Sequence, residues 1–581
     1  MADLSPLVSV SETDLTTSVA AVATNIGVAI LRNTYKGDEK KQVLVTDTDE
    51  LISKFGYPTS VAACYEDILS TAAFLKNADK VYCTRVMPTS ASFGGLKVPS
   101  GTAITATQFT TANALILSDI FNEDPDEFGS YIVSDNFPWW FIAKSRGLHG
   151  NNIRLAIADK TFHDLIVQRD AAVTGLTTYE SLASIDGRLE DETEFLIVVE
   201  AKAQGSSTWK QVEYFFVSAE ESHYDDEGRS MFIETVINQQ SDYIRVSMSS
   251  AYLDTIFRCY TSEYQQFGGG QDSNNDSVTD ADIMNALDLY ENDEEIDINI
   301  IIDSDKSETV KQYAASICDT RLDCMAVIDP IYSLVVNNKG NETDDLINWR
   351  RGLTAQFAVN NLNITTSYAA LYGNWGEVYD KWNEKYRWIP LSGHVAGAFS
   401  YTDNIAETWY APAGLNRGIL ANVRRLAWNP NKAKRDLLYK NGINPICSFA
   451  SAGKVIWGQK TLLDKNSAFN RINIRRLFIV LEKSLATSSK YYLFQQNTPF
   501  TRLALRNDIE PFLKEVQTNE GIYDYLVICD ETNNYGDRID NEELWCDIYI
   551  KPTRAAEFIY LNFIGTKTSA SFTEIAALRA A

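Results

Sequence analysis

The sequence predicts a multidomain protein of mixed α/β and α+β class, with a β-rich domain inserted into an α/β one. Three observations predict it. Apolar runs of the buried-strand kind alternate with helical patterns from Ile26 to Val86 and again from Thr279 to Pro330. Between them, from about 90 to 260, short β-rich runs lie among turn clusters. At 581 residues the chain exceeds what one core holds, and its 45 % apolar and 11 % aromatic content suffices for several. The expected divisions are an arm over 1–24, an α/β domain over 25–89 plus 262–430, an inserted domain over 90–261, and a C-terminal domain over 431–581 ending in a second arm from about 551.

In the N-terminal arm, Val8 and Val10 alternate with Ser9 and Ser11 as a short half-buried strand. The small, polar stretch after it has no tight-turn dipeptide to fold the strand back as a hairpin. Such a strand either joins its own sheet or pairs with a distant edge. GVAIL and KVYCTRV then read as buried strands, with VTDTDELISKFG and SVAACYEDILSTAAFLKN as helices between them; Asp47 or Thr48 caps the first helix and Gly56 ends it. In the insert, FLIVVEAKA, KQVEYFFVSA, SMFIETVIN and YIRVSM read as strands. The α/β pattern resumes with a helix over Thr279–Leu289, the strand IDINIIID, the helix SETVKQYAASICDTR and the strand DCMAVIDP. Near the C-terminus, Ile474, Leu477, Phe478, Leu481 and Leu485 form one helical stripe. Thr498 caps a further helix with Pro499 at its first position, and Pro511 is expected to kink or restart it. The run Phe558, Ile559, Tyr560, Leu561, Phe563 is apolar on both faces, so a strand there needs cover on both sides, from its own domain or from another copy.

The net charge of −26 argues against nucleic acid or an anionic membrane as the main partner, and no apolar run is long enough to span a bilayer. The N-terminus lacks the basic start and apolar segment of a secretory signal, so the eight scattered cysteines, none in a CxxC pair, are expected as buried free thiols of a reducing cytoplasm. The charge is uneven: from Arg424 to Lys514 there are 17 Lys and Arg against 5 Asp and Glu, net +12. That segment either meets something acidic or balances its own neighbours.

Asp272, Asp276, Asp280 and Asp282 lack the central glycine and terminal glutamate of a calcium loop, and Thr279 with Asp280 is better read as a helix cap. Gly268, Gly269 and Gly270 belong to no phosphate-binding motif and read as a turn. His149, His163, His223 and His394 have no metal-ligand spacing, and no nucleophile motif is present. The run from Trp375 to Trp388 reads as buried or interface aromatics. No catalytic, cofactor or metal residue is assigned.

Several longer stretches carry a resemblance. They are DLINWR (Asp345 to Arg350), NNLNITTSYAALYGN (Asn360 to Asn374), RWIPLSGHVAGAFSYTDN (Arg387 to Asn404), YAPAGLNRG (Tyr410 to Gly418) and LLYKNGINPI (Leu437 to Ile446). FNRINIRRLF (Phe469 to Phe478), SSKYYLFQQNTPFTR (Ser488 to Arg502), GIYDYLVICDETNN (Gly521 to Asn534) and AEFIYLNFIGTKTSASF (Ala556 to Phe572) follow in order. The chain resembles the tail sheath proteins of contractile-tailed bacteriophages, the T-even type in particular. It departs from them in having Leu7 after Pro6 where the family opens Ser-Pro-Gly, and in a shorter insert, which implies one outer domain where they carry two.

The resemblance implies a tail-sheath fold and a helical stack of sheath rings around a tail tube, which contracts to drive the tube through the host envelope. It implies N- and C-terminal arm strands, carried by Val8, Val10 and Glu12 and by Phe558, Tyr560, Leu561 and Phe563, that pair with neighbouring subunits. It also implies that the C-terminal domain faces the tube, for which Arg502, Arg506 and Lys514 are the basic candidates. The implied partners are further copies, the tail tube protein, and baseplate and tail terminator proteins, in a virion assembled in the host cytoplasm, with no cofactor, nucleic acid or membrane insertion. A phage-derived injection device is the alternative within this class; a soluble nucleotide-dependent α/β enzyme is the alternative outside it.

Overall fold

The computed structural model describes residues 25–110, 137–187, 189–273 and 277–561. Two compact units divide it, one within 18–494 and one within 495–581. Each is described by itself.

The larger unit is built on a seven-stranded sheet in the order Ile443–Asn444, Ala369–Tyr372, Met325–Ile328, Ile300–Ile302, Ile26–Arg32, Lys80–Val86, Val43–Val45. All neighbours are parallel except the last pair. Its strands are apolar on both faces because helices cover both. The helix Thr48–Phe55 starts where the Asp47 carboxylate accepts from the amides of Asp49 and Glu50, and ends at Gly56 with φ 84°. The helix Asp280–Asp288 opens with a Thr279/Asp282 capping box. The strand Ile443–Asn444 lies beyond the boundary expected at 431, and residues up to 494 belong to this unit.

The helix Ser392–Ile405 crosses Ala62–Phe74 at very short range. A Cβ at Gly393 would stand 2.0 Å from the Ser70 carbonyl oxygen, so only glycine allows the approach. Gly27, in the central strand, is needed for a similar reason: a Cβ there would meet the Phe74 ring at 2.4 Å.

The insert forms two antiparallel four-stranded sheets. One runs Ile244–Met248, Trp139–Ala143, Gly95–Val98, Thr107–Gln108; the other Gln265–Gln266, Ile153–Asp159, Glu194–Lys202, Trp209–Ser218. Alternate residues of both share one core, with Trp139 edge-on to Phe195 at 4.8 Å. The run SMFIETVIN departs from expectation: Ile233–Gln240 is a helix, because Ile233, Val236 and Ile237 recur at helical spacing and are the residues it buries. The insert is tied to the α/β part by Arg85, fully buried, which donates to the Thr34, Gly37 and Arg146 carbonyls and shares Glu39 with Arg146.

At the C-terminal edge of the parallel sheet lies a buried charge cluster. Asp67 accepts from Arg32 at 2.9 Å and from Lys306 at 2.6 Å; Asp303 pairs with Lys311 at 3.1 Å. Asp329 accepts from the amides of Leu391 and Ser392, at the start of Ser392–Ile405, at 2.9 and 2.8 Å. Burial holds Asp329 well above the ordinary carboxylate range. Burial, with Asp305 nearby, pushes Glu66 up to about 8, and Asp305 itself to about 6.

A carboxyl with a raised folded-state pKa contributes stability that is complete below its ordinary value of 4.5 and is lost as pH rises through the raised one. Between pH 6.5 and 8 the Glu66 contribution falls by up to about 1.4 kcal/mol per pH unit. His149 and His394, held by burial at about 3, act in the opposite sense only below pH 6.5. Lys306, lowered by burial to about 8, opposes it only above that value. Urea titrations are therefore expected to show stability declining from pH 6.5 to 8 in the native protein, and a flatter profile in Glu66→Gln.

Candidate assembly surfaces

The smaller unit is organised by one helix. Pro499–Thr518 begins with Thr498 accepting from the Thr501 amide, as its sequence indicates, and buries Leu505, Ile509, Leu513 and Val516 in one stripe. Of the kink or restart expected at Pro511, a restart does not occur: the helix continues through it as one element. Pro511 and Asn507 are both exposed, so the carbonyl that loses its i+4 donor faces water.

That stripe packs against the strand Ile522–Ile528, which pairs antiparallel with Asp547–Pro552. Tyr525 donates its hydroxyl to the Glu510 carbonyl at 3.2 Å, and Val527 is buried. On the opposite face Leu526 stands across from Tyr549, both more than half exposed. Among the described residues no third strand joins either edge. A two-stranded sheet is marginal alone; here a helix supports one face while the other face and both outer edges stay open.

The chain beyond this sheet holds the C-terminal candidates. Phe558, Tyr560 and Leu561 lie in no strand and are 71 %, 90 % and 76 % exposed, with Ile559 between them at 78 %. Four consecutive exposed apolar side chains are costly to leave in water and mark a contact surface. Val8, Val10, Glu12 and Phe563 lie outside the described residues.

The three basic candidates do not behave alike. Arg502 is only 4 % exposed and donates to Asn497 Oδ1 at 2.8 Å and to the Asn497 carbonyl at 3.4 Å. It stands three residues before Leu505 and seven before Ile509, hence on the apolar stripe; that spacing was the signal for its burial. Arg506 is half-buried and paired with Glu510 at 2.6 Å. Lys514 is exposed and donates to Gln517 Oε1 at 2.9 Å.

In the larger unit much of the basic excess is met by acids from earlier in the chain. Arg425 and Arg424 reach Glu377 at 2.8 and 3.4 Å, Arg476 reaches Asp403 at 2.5 Å, and Lys483 pairs with Asp297 and Asp323. Arg475 is buried against the Tyr368 hydroxyl. Periodicity identified the Ile472–Ser489 helix but missed that it buries Asn473, Arg475 and Arg476 beside its stripe.

Several of the polar groups singled out in the sequence have structural partners. The sheet edge at which parallel α/β folds bind ligands is filled by Arg32, Lys306, Asp67 and the start of Ser392–Ile405. Asp272 accepts from the Leu148 amide, Asp282 closes its helix cap, and Asp276 lies outside the described residues. Gly268 bridges to Gly95, and Gly269 turns the chain at φ 84°. Among the described residues no group of three or more His, Cys, Asp or Glu is arranged to hold a metal, and no helix is long and apolar enough to cross a membrane.

Comparison with known proteins gives these surfaces a context. Residues 276–462 match the phage tail sheath protein central domain, and residues 464–565 the phage tail sheath C-terminal domain. The tail sheath protein of Vibrio phage KVP40 is 40 % identical over 377 residues, which is 62 % of this chain and 54 % of the relative. That of Enterobacteria phage T4 is 38 % identical over 352 residues, 57 % of this chain and 53 % of the relative. The chain thus spans about half the length of the curated relatives it matches. The crystal structure of the sheath tail protein Lin1278 from Listeria innocua aligns over 93 % of this chain and 97 % of its own at a TM-score of 0.53 and 11 % identity, a likeness of fold.

The different settings of the basic residues predict different mutational costs. Arg502→Ala is expected to lose about 1–2 kcal/mol, seen as roughly tenfold faster amide exchange in Pro499–Thr518. Lys514→Glu is expected to leave that exchange unchanged within about twofold.

Proposed function

We propose that this chain, which carries the central and C-terminal domains of the phage tail sheath family over residues 276–565, is the subunit of a contractile tail sheath. In this reading copies polymerise helically around a tail tube, and the polymer shortens to drive the tube through the host envelope for genome delivery. The observation that carries it is the unbroken succession of the two sheath domains, at 40 % identity to a phage sheath protein.

The open sheet of the smaller unit supports it physically. Strand addition to Ile522–Ile528 or Asp547–Pro552 links two chains by backbone hydrogen bonds, which depend little on how the rest of each chain is turned. A head-to-tail contact of this kind generates an open helix wherever its rotation does not close a ring. The N-terminal arm with Val8, Val10 and Glu12, and the C-terminal arm with Phe558, Tyr560, Leu561 and Phe563, are the strands we assign to neighbouring copies. Contraction is then a re-orientation of folded subunits and calls for no catalysis by the chain. We assign Arg506 and Lys514, but not the buried Arg502, to a salt-sensitive contact with the tail tube protein. Baseplate and tail terminator proteins bound the two ends of the polymer, and the assembled protein belongs to the virion.

Negative-stain microscopy of the purified full chain tests the reading. Long tubes are expected at high concentration, and deletion of residues 1–20 is expected to leave folded protein that forms none. Tubes of native length from the deletion would reject the arm assignment, and dispersed particles from the full chain under all conditions would reject the sheath. Charge reversal at Arg506 and Lys514 is expected to weaken co-assembly with tube while sparing tube-free polymers; unchanged co-assembly across a salt titration would reject that contact.

A further inference from the structure

The smaller unit also contains two thiols that the assembly reading does not use. Its antiparallel ladder ends at the pair Ile528 and Asp547, and the next residues outward are Cys529 and Cys546. Opposed residues on antiparallel strands lie about 4.5–5.5 Å apart between Cα atoms, inside the roughly 4.4–6.8 Å that a disulfide spans.

The surroundings hold this register from both sides. Asn533 donates to the Ile528 carbonyl at 2.7 Å and to Asp547 Oδ2 at 3.2 Å, so one buried amide grips the residue before Cys529 and the residue after Cys546. Asn534 donates to the Trp545 carbonyl at 2.8 Å and accepts from the Trp545 amide at 2.7 Å. Cys529 is 3 % exposed, whereas Cys546 is half-buried and within reach of solvent. The neighbouring Cys546 thiol, with the Arg502 guanidinium, holds the Cys529 thiol below its usual range despite burial, while Cys529 and burial push the Cys546 thiol up, so the two share one readily lost proton.

We propose that Cys529 and Cys546 form a redox pair that closes to a cross-strand disulfide when the protein meets a small-molecule disulfide. The pair first gives up one proton; with the remaining proton on Cys529, Cys546, the more exposed residue, attacks as thiolate one sulfur of the small disulfide, whose S–S bond breaks, and the first small thiolate leaves with the proton the pair gave up. Cys529, as thiolate, then attacks the Cys546 sulfur, displacing the second small thiolate, which takes up the Cys529 proton. Two protein S–H bonds become one S–S bond, and the small disulfide is reduced by two electrons to two thiols. The product seals the loop over residues 530–545 and staples the open end of the two-stranded sheet. Cys318 and Cys324 are an internal contrast: their sulfurs lie 3.4 Å apart, but both are fully buried, so the oxidant has no route to them in the folded protein.

The test is oxidation of the native full-length protein with excess oxidised glutathione, followed by acid quenching, denaturation, alkylation and peptide mapping. Six of the eight thiols are expected to remain alkylatable, with one linked peptide joining Cys529 to Cys546. Cys529→Ser is expected to accumulate a glutathione adduct on Cys546, and Cys546→Ser to react at least tenfold more slowly than either. Eight alkylated thiols in the oxidised native protein would overturn the proposal. So would a linkage at any other pair, or a Cys546→Ser variant that reacts as fast as the native chain. The native-protein measurement stands whether or not the variants fold, and it does not depend on the sheath reading.

Discussion

The larger unit depends on one long-range pairing. Gly27, Val28 and Ala29 lie parallel to Ile300, Ile301 and Ile302, with the entire insert in the chain between them. Closing so long a loop costs conformational entropy, though the cost grows only slowly with length. What fixes the closure in place is side-chain chemistry at the strand ends. Asp67 is held at once by Arg32, from the first strand, and by Lys306, from the turn after the second. The same Arg32 donates to the Ser304 carbonyl at 2.7 Å. If that junction is loosened, the insert has no fixed base; with it closed, Arg85 and Arg146 carry the constraint on into the insert through Glu39.

Much of this was legible in the sequence because local and tertiary demands agree. Asp47 and Gly56 bracket a helix, Thr279 and Asp282 cap one, and the buried strands are apolar throughout. Where local signals and tertiary context disagree, the reading failed. Ile233–Gln240 is rich in β-branched residues, yet its buried positions follow a helical period. Pro511 normally breaks a helix, but its lost hydrogen bond falls on a wet face.

Charge was the least legible property, since a count along the chain does not say which partner each group meets. The excess between Arg424 and Lys514 suggested a basic surface, but Glu377, Asp403 and Asp297 take up part of it within the larger unit. Arg502 counted as a surface cation until the period of its own helix placed it against the unit's interior. The buried cluster around Asp67 and Asp329 left no motif at all, because its members come from a strand end, helices and turns far apart in sequence. Unpaired charges in such a place would cost several kcal/mol each. The cost is avoided by direct pairing, by helix-start amides and, for Glu66, by keeping the proton.

The smaller unit shows the opposite balance. Its helix contributes four buried aliphatic side chains to one face of a two-stranded sheet, which a hairpin of this length needs in order to persist. Leu526, Tyr549 and the run from Phe558 to Leu561 remain outside that core. At about 25 cal/mol per Å², covering even half of their apolar surface would be worth several kcal/mol, comparable to the stability of a small domain. Solvent-facing residues selected only for solubility would not be these. Leu526 and Tyr549 stand across from each other on a sheet whose outer edges no described strand joins, so a strand laid along either edge would satisfy backbone groups that otherwise face water.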